Sequence, residues 1–216
     1  MRKSILALVA TAGGMALTYG ALNAQGTPPQ LPGVADATRV SAGTYATDPA
    51  HSLVGWRANH FGFNDYFGIF GDVTGTLVLD PANIGASSVD VTIPIASVTT
   101  ASAGLTAHLT RAGQNGGNPD FFGPEPAPAH FVSTMVHSTG ANTAHIMGNL
   151  TMNGQTHPVT VQAEFVGAGT HPFNQKVTIG FEGTTTINRS EWGLGGFVPL
   201  VSDAVDLTIS VAFEKQ

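Results

Sequence analysis

From Val54 to Phe213 apolar side chains recur at every second position, in eight separate runs. A period of two puts alternate residues on opposite faces of an extended chain, so each run reads as a strand with one face withdrawn from water. The first three runs are Val54, Trp56 and Ala58; then Val73, Gly75, Leu77 and Leu79; then Val89, Val91, Ile93 and Ile95. After a gap come Phe131, Ser133 and Met135, followed by Ile146, Gly148, Leu150 and Met152. The series closes with Val159, Val161, Ala163 and Phe165; Val177, Ile179, Phe181 and Gly183; and Val205, Leu207, Ile209, Val211 and Phe213. Asp80-Pro81-Ala82-Asn83 and Asn153-Gly154 supply turns, the second because both residues tolerate positive φ. One segment breaks the pattern: behind Thr99-Thr100-Ala101-Ser102, Leu105 and Leu109 stand four apart within Ala103 to Ala112, the spacing of a short capped helix.

Eight antiparallel strands with one apolar face each must close on themselves or split into two packed sheets. A single short helix is too little to cover a sheet, so the pattern predicts an all-β, eight-stranded antiparallel barrel. A barrel of this size either fills with side chains or holds one ligand. Small inward residues (Gly75, Ser133, Gly148, Ala163, Gly183) leave room for a cavity and equally suit the taper of a filled barrel.

The N-terminus is different in kind. Met1-Arg2-Lys3, an apolar run from Ile5 to Leu17 and the small-residue stretch Ala21-Leu22-Asn23-Ala24 have the layout of a secretory signal peptide cut after Ala24. The expected location is therefore the periplasm. Residues 25–43, rich in Pro and Gly and without hydrophobic period, read as a disordered tether, leaving 44–216 as the barrel domain. Beyond residue 24 six basic residues face fourteen acidic ones, a net charge of −8, which offers nucleic acid no basic footprint. The chain has no cysteine, so disulfides and thiol chemistry are excluded.

Chemistry-bearing motifs are sparse. Among His51, His60, His108, His130, His137, His145, His157 and His171 no pair has helix-borne metal spacing, and His130 and His137, seven apart, point to opposite faces of a regular strand. No GxSxG and no phosphate loop occurs, so neither an enzyme nor a metal or organic cofactor is expected. Aromatics beside glycine do recur at strand ends: His60-Phe61-Gly62-Phe63, Tyr66 to Gly71, Asp120-Phe121-Phe122-Gly123 and Arg189-Ser190-Glu191-Trp192-Gly193. They suit the mouth of a cavity that takes an apolar tail, and equally an aromatic plug. Arg189 stands among them as one of few cations, with Glu191 or a backbone carbonyl as its ordinary partner.

Several of these segments fall in a familiar order: Asp48-Pro49-Ala50-His51-Ser52; Gly68-Ile69-Phe70; Ser88 to Pro94; His108-Leu109; Pro128-Ala129-His130-Phe131; Gly148 to Val159; and Ile187 to Gly193. In this order, from Tyr45 to Glu214, the chain resembles the YceI-like family of exported lipid-binding proteins. The resemblance implies a lipocalin-like barrel that takes a polyisoprenoid, lipoquinone or acyl chain lengthwise, with no enzyme activity and no metal, often as a homodimer. The ligand-binding candidates are then Trp56, Phe70, Val91, Ile93, Phe131, Met135, Ile146, Leu150, Phe165, Ile179, Phe181 and Leu207 on the strands, with Leu109 on the helix. His60, Phe63, His108, Phe122, Arg189 and Trp192 are the candidates at the mouth. Leu105 and Thr106 stand where the family carries Arg-Asp, which leaves Arg111 as a substitute cation. Two other readings stay open: an enzyme or metal protein using the histidines, and a stress-related interaction protein with a filled barrel.

Overall fold

The structure is a computed structural model and describes residues 30–216. The expected signal segment and the first residues of the expected tether lie outside the described residues. Eleven strands form one sheet: β1 (Gly43–Thr47), β2 (Leu53–His60), β3 (Asn64–Phe70), β4 (Thr74–Leu79), β5 (Ser88–Ile93), β6 (Thr99–Thr100), β7 (Ala129–Ser138), β8 (Thr143–Met152), β9 (Gln155–Thr170), β10 (Val177–Asn188) and β11 (Val201–Lys215). Eight of them close a ring in the order β1-β4-β5-β7-β8-β9-β10-β11, with β11 pairing back to β1. Every pairing is antiparallel. The barrel expected from the alternation is present.

The remaining strands are the second halves of broken staves. β11 pairs with β1 near its C-terminus and with β2 along the rest, so β1 and β2 are one stave interrupted at Asp48 to Ser52. β3 and β4 form the next, interrupted at Gly71 to Val73, and β5 and β6 the third, interrupted at Pro94 to Val98. The interruptions have local causes. Pro49 and Pro94 cannot donate to a ladder, and Asp72 sits at φ 56°. The apolar alternation showed only one half of the first two staves, which is why β1 and β3 escaped it.

β5 pairs with β7, but β6 does not, so the wall is unpaired at one end between the third stave and β7. A short helix, α1 (Ala103–Leu109), and the loop that follows it fill this seam. The Ser102 hydroxyl caps α1 by accepting from the Leu105 N–H (3.3 Å), and Phe122 N–H donates to the Leu109 carbonyl (3.0 Å). The helix stops at Leu109, earlier than the sequence pattern suggested.

The expected tether is corrected over its described part. Val34 exchanges two backbone hydrogen bonds with Ala168 on β9 (3.2 and 2.9 Å), and Asp36 caps a single 3₁₀ turn over Ala37–Arg39. Gly169 permits this approach: a Cβ there would stand 2.0 Å from the Pro32 carbonyl oxygen.

Candidate functional site

A cavity of about 820 Å³ occupies the barrel. That is near the upper end of the roughly 300–1,000 Å³ usual for small-molecule sites. Its lining extends from Ala37, Val40, Pro81 and Ile84 at one end to Phe61, His108, Phe121 and Phe197 at the other. Of the two interiors the alternation allowed, the hollow one is observed.

The inward glycines matter because aromatic rings lie against them. Trp56 rests its indole on Gly68 of β3, where a Cβ would meet the ring at 2.3 Å. Phe131 covers Gly148 of β8 in the same way, with a 2.4 Å approach. Each ring is folded onto the wall instead of standing across the lumen. Tyr45, Ala168 and Ile179, all at most 1% exposed, pack together near the β1 end of the barrel.

Fifteen of the nineteen expected ligand-binding residues line this space. Trp56, Phe70, Val91, Ile93, Phe131, Ile146, Leu150, Phe165, Phe181 and Leu207 do so from the strands and Leu109 from α1. His60, His108, Phe122 and Arg189 do so at the seam end.

The other four are corrected. Met135 faces solvent because β7 carries a bulge: Ser133 pairs with Gly148 but Met135 with Met147, so Thr134 is an extra residue and Val136 takes the inward place. The same bulge puts His130 and His137 on one outer face, not on opposite faces. Phe63 is 88% exposed, because Phe61 (φ 56°) and Gly62 (φ 73°) turn the chain before β3 and leave Asn64 and Tyr66 as the inward residues. Ile179 is fully buried, packed with Tyr45 and Ala168, and does not reach the cavity. Trp192 is buried behind the cavity wall, where its Nε1 donates to the Leu150 carbonyl (3.1 Å) and its own carbonyl accepts from Asn153 Nδ2 (2.9 Å).

The seam end is held by two polar clasps. Arg189 is 6% exposed and donates to the backbone carbonyls of Ser202 (2.9 Å), Val201 (2.9 Å) and Leu194. Those of Val201 and Ser202 lie where β11 bulges against β2, between Val201 and Val205, and that of Leu194 lies in the loop before it. Burial pushes the guanidinium below its ordinary pKa, and Asp203 partly opposes this. Phe121 packs on the cation at 5.6 Å. In the second clasp, Asp120 accepts from Arg111 Nη2 (2.8 Å) and lies 2.9 Å from His108 Nε2. The Arg111 hydrogen bond, and after it that of His108, holds the Asp120 carboxyl below the usual carboxylate range. Both cations singled out in the sequence are thus tied to the protein's own loops.

Sequence reasoning named Phe121 only as part of an aromatic cluster and missed Leu105 and Phe197 as lining residues. Leu105 carried a helical-face signal. Phe197, at φ 61° in the loop after Gly195-Gly196, carried none.

Among the described residues no three His, Asp or Glu side chains converge as a metal site.

Comparison with known proteins agrees with this geometry. A UPF0312 protein of Ectopseudomonas mendocina (strain ymp) is 37% identical over 178 residues, covering 81% of this chain and 89% of that one. A UPF0312 protein of Pseudomonas putida (strain GB-1) is 38% identical over 167 residues, covering 77% and 82%. Among solved structures, Burkholderia cenocepacia BcnA matches with a TM-score of 0.63 at 25% identity, over 77% of this chain and 98% of that one. A Campylobacter jejuni YCEI protein matches at 0.61 and 26%, over 73% and 90%. A polyisoprenoid binding domain from Saccharophagus degradans shares the fold (TM-score 0.56, 11% identity, over 80% and 98%). The YceI-like domain model matches residues 45–213, from the buried Tyr45 of β1 to Phe213 of β11, and the chain belongs to that family.

Proposed function

We propose that this protein binds one long apolar lipid, a polyisoprenoid, lipoquinone or acyl chain, lengthwise in the barrel and acts as its periplasmic carrier. The observation that carries the reading is the apolar cavity of about 820 Å³, lined from one end of the barrel to the other. The name of the Saccharophagus domain, a polyisoprenoid binder of the same fold, points the same way. The N-terminal signal pattern supports the periplasmic location.

Burying a dozen methylenes contributes about 10 kcal/mol at roughly 0.8 each. Ordering the chain and losing its free motion take back much of that. Affinity therefore needs no polar contact, and the site selects by length and bulk. Binding and release, with no bond made or broken, is the chemistry this wall supports.

The test is mass spectrometry of an organic extract of the protein, purified without detergent from the periplasm of its source. A stoichiometric long-chain lipid is expected. Absence of lipid, together with failure of a polyisoprenoid, quinone and fatty-acid panel to bind on titration, would end this reading. N-terminal sequencing of the same material tests export, with Gln25 expected as the first residue.

A further inference from the structure

The bulge at Thr134 creates an arrangement on the outside of the barrel that the lipid cavity does not use. On the solvent face of the β7–β8 hairpin His137 pairs directly with His145, and two residues along, Met135 pairs directly with Met147. Val136 and Ile146, the residues between, line the cavity, so these four side chains share the opposite, outer face. Both histidines are exposed, Met135 is 56% exposed and Met147 is half-buried.

Directly opposed residues on antiparallel strands have Cα atoms about 4.5–5.5 Å apart. Residues two apart on one strand are about 6.7 Å apart. Two imidazoles and two thioethers thus stand at the corners of a small rectangle. Its diagonals, about 7–8 Å, are within reach of long side chains.

Two features set the group apart from ordinary surface. Methionine on the solvent face of a half-buried strand loses the burial that favours it. Only three methionines follow residue 24, and two of them oppose each other here. Further, His51, His108 and His130 are each tied to an aspartate, at 2.6, 2.9 and 2.7 Å. His137 and His145 hold no carboxylate among the described residues. The local charge also suits a cation. No Lys or Arg occurs from Ala112 to Gln175, the whole span of β7, β8 and β9. On β9 the neighbours are Thr160 opposite Met147, Gln162 opposite His145, and Glu164 opposite Thr143.

We infer that His137, His145, Met135 and Met147 form a surface site for a soft, thiophilic cation, cuprous copper above all. The donor set decides the metal. Calcium and magnesium require oxygen ligands, and zinc takes cysteine, histidine and carboxylate. Thioether sulfur with imidazole selects Cu(I). The site is independent of the cargo: its side chains point away from the lumen and its ligand is an ion.

The test is anaerobic titration of the lipid-free mature protein with Cu(I) buffered by a chromophoric chelator, followed by X-ray absorption at the copper edge. One ion per chain, with both sulfur and nitrogen in its first shell, is expected. Outer-shell partners of metal ligands alone are worth about 10- to 100-fold in affinity. Removing both sulfurs in M135L/M147L should therefore weaken Cu(I) binding at least about 100-fold. The change keeps volume and apolarity, so circular dichroism and lipid binding should not move. H137Q/H145Q should lose Cu(I) to the same degree. No Cu(I) retained against the chelator, a copper shell without sulfur, or affinity unchanged in M135L/M147L would each overturn the inference.

Discussion

Arg189, 6% exposed, ties the seam end of the barrel together through a single guanidinium. The sequence marked it as a rare cation among aromatics, which suits a ligand's polar end, and equally as the partner of a backbone carbonyl. The structure gives it three carbonyls on two segments, Leu194 in the loop before β11 and Val201–Ser202 at the start of β11. A lysine cannot span that fork. Arg189→Lys should leave buried carbonyls unpaired and lower stability by about 2–3 kcal/mol, read as a shifted urea midpoint. An unchanged midpoint would show that the clasp carries no stability. Gly68 offers a complementary test on the lumen. Alanine there drives its Cβ into the Trp56 indole, which must swing off the wall. Gly68→Ala should weaken long-chain lipids more than short ones, with altered Trp fluorescence. Equal loss for both lengths would place Trp56 outside the path of the chain.

At the scale of the element, the single extra residue at Thr134 decides which chemistry faces which solvent. Regular alternation puts Met135 and His137 inside with Phe131 and Ser133; the bulge puts them outside and seats Val136 in the wall. Removing Thr134 takes out the extra residue, so Met135 would follow Ser133 directly and Met135 and His137 would stay on the outer face in unbroken alternation. The deletion variant should therefore keep Val136 in the wall and keep Cu(I) binding, losing only the local bend and twist that the bulge supplies. Lost Cu(I) affinity would mean that the twist of the bulge, and not the register alone, sets the spacing of the four side chains. The alternation itself, and with it the closed barrel, was legible because each inward run is built of Val, Ile, Leu and Phe. Two kinds of feature were not. Bulges depend on the partner strand, which a single run of sequence does not name. The interrupted staves place short, mixed segments such as Gly43–Thr47 and Asn64–Phe70 in the wall, with too few apolar residues in period to announce themselves. Most lining residues were accessible to reasoning for the same cause, and Phe197, carried by an irregular loop, was not.

Across the whole molecule, stability should depend on acid in a predictable direction. Asp36, Asp120, Asp203, Asp206 and Glu214 are all held below their ordinary pKa, chiefly by hydrogen bonds from Thr38, Arg111, Ser190, Thr186 and Lys176 respectively. A carboxylate whose folded pKa is depressed stabilises the fold above its unfolded value of about 3.9–4.3. That contribution is lost as pH falls through the folded value. The carboxylate part of stability should thus be whole above about pH 5 and fall away below about pH 4. Asp206→Asn, which removes one such group, should flatten the acid limb of the urea midpoint plotted against pH. An identical limb would show that the hydrogen bonds from Thr186 and Arg57 persist in the unfolded chain.

The hollow interior also has a consequence for volume. An apolar wall gives water few hydrogen-bond partners, so an emptied lumen of about 820 Å³ is poorly filled space that unfolding recovers. Pressure drives a protein toward its smaller-volume state, and ordinary unfolding changes volume by about −20 to −100 mL/mol. The emptied barrel should exceed the upper figure and unfold at moderate pressure, while the barrel packed with cargo should fall inside the range. High-pressure fluorescence of Trp56 and Trp192 would measure both. Equal volume changes would mean that the staves draw together when the chain leaves.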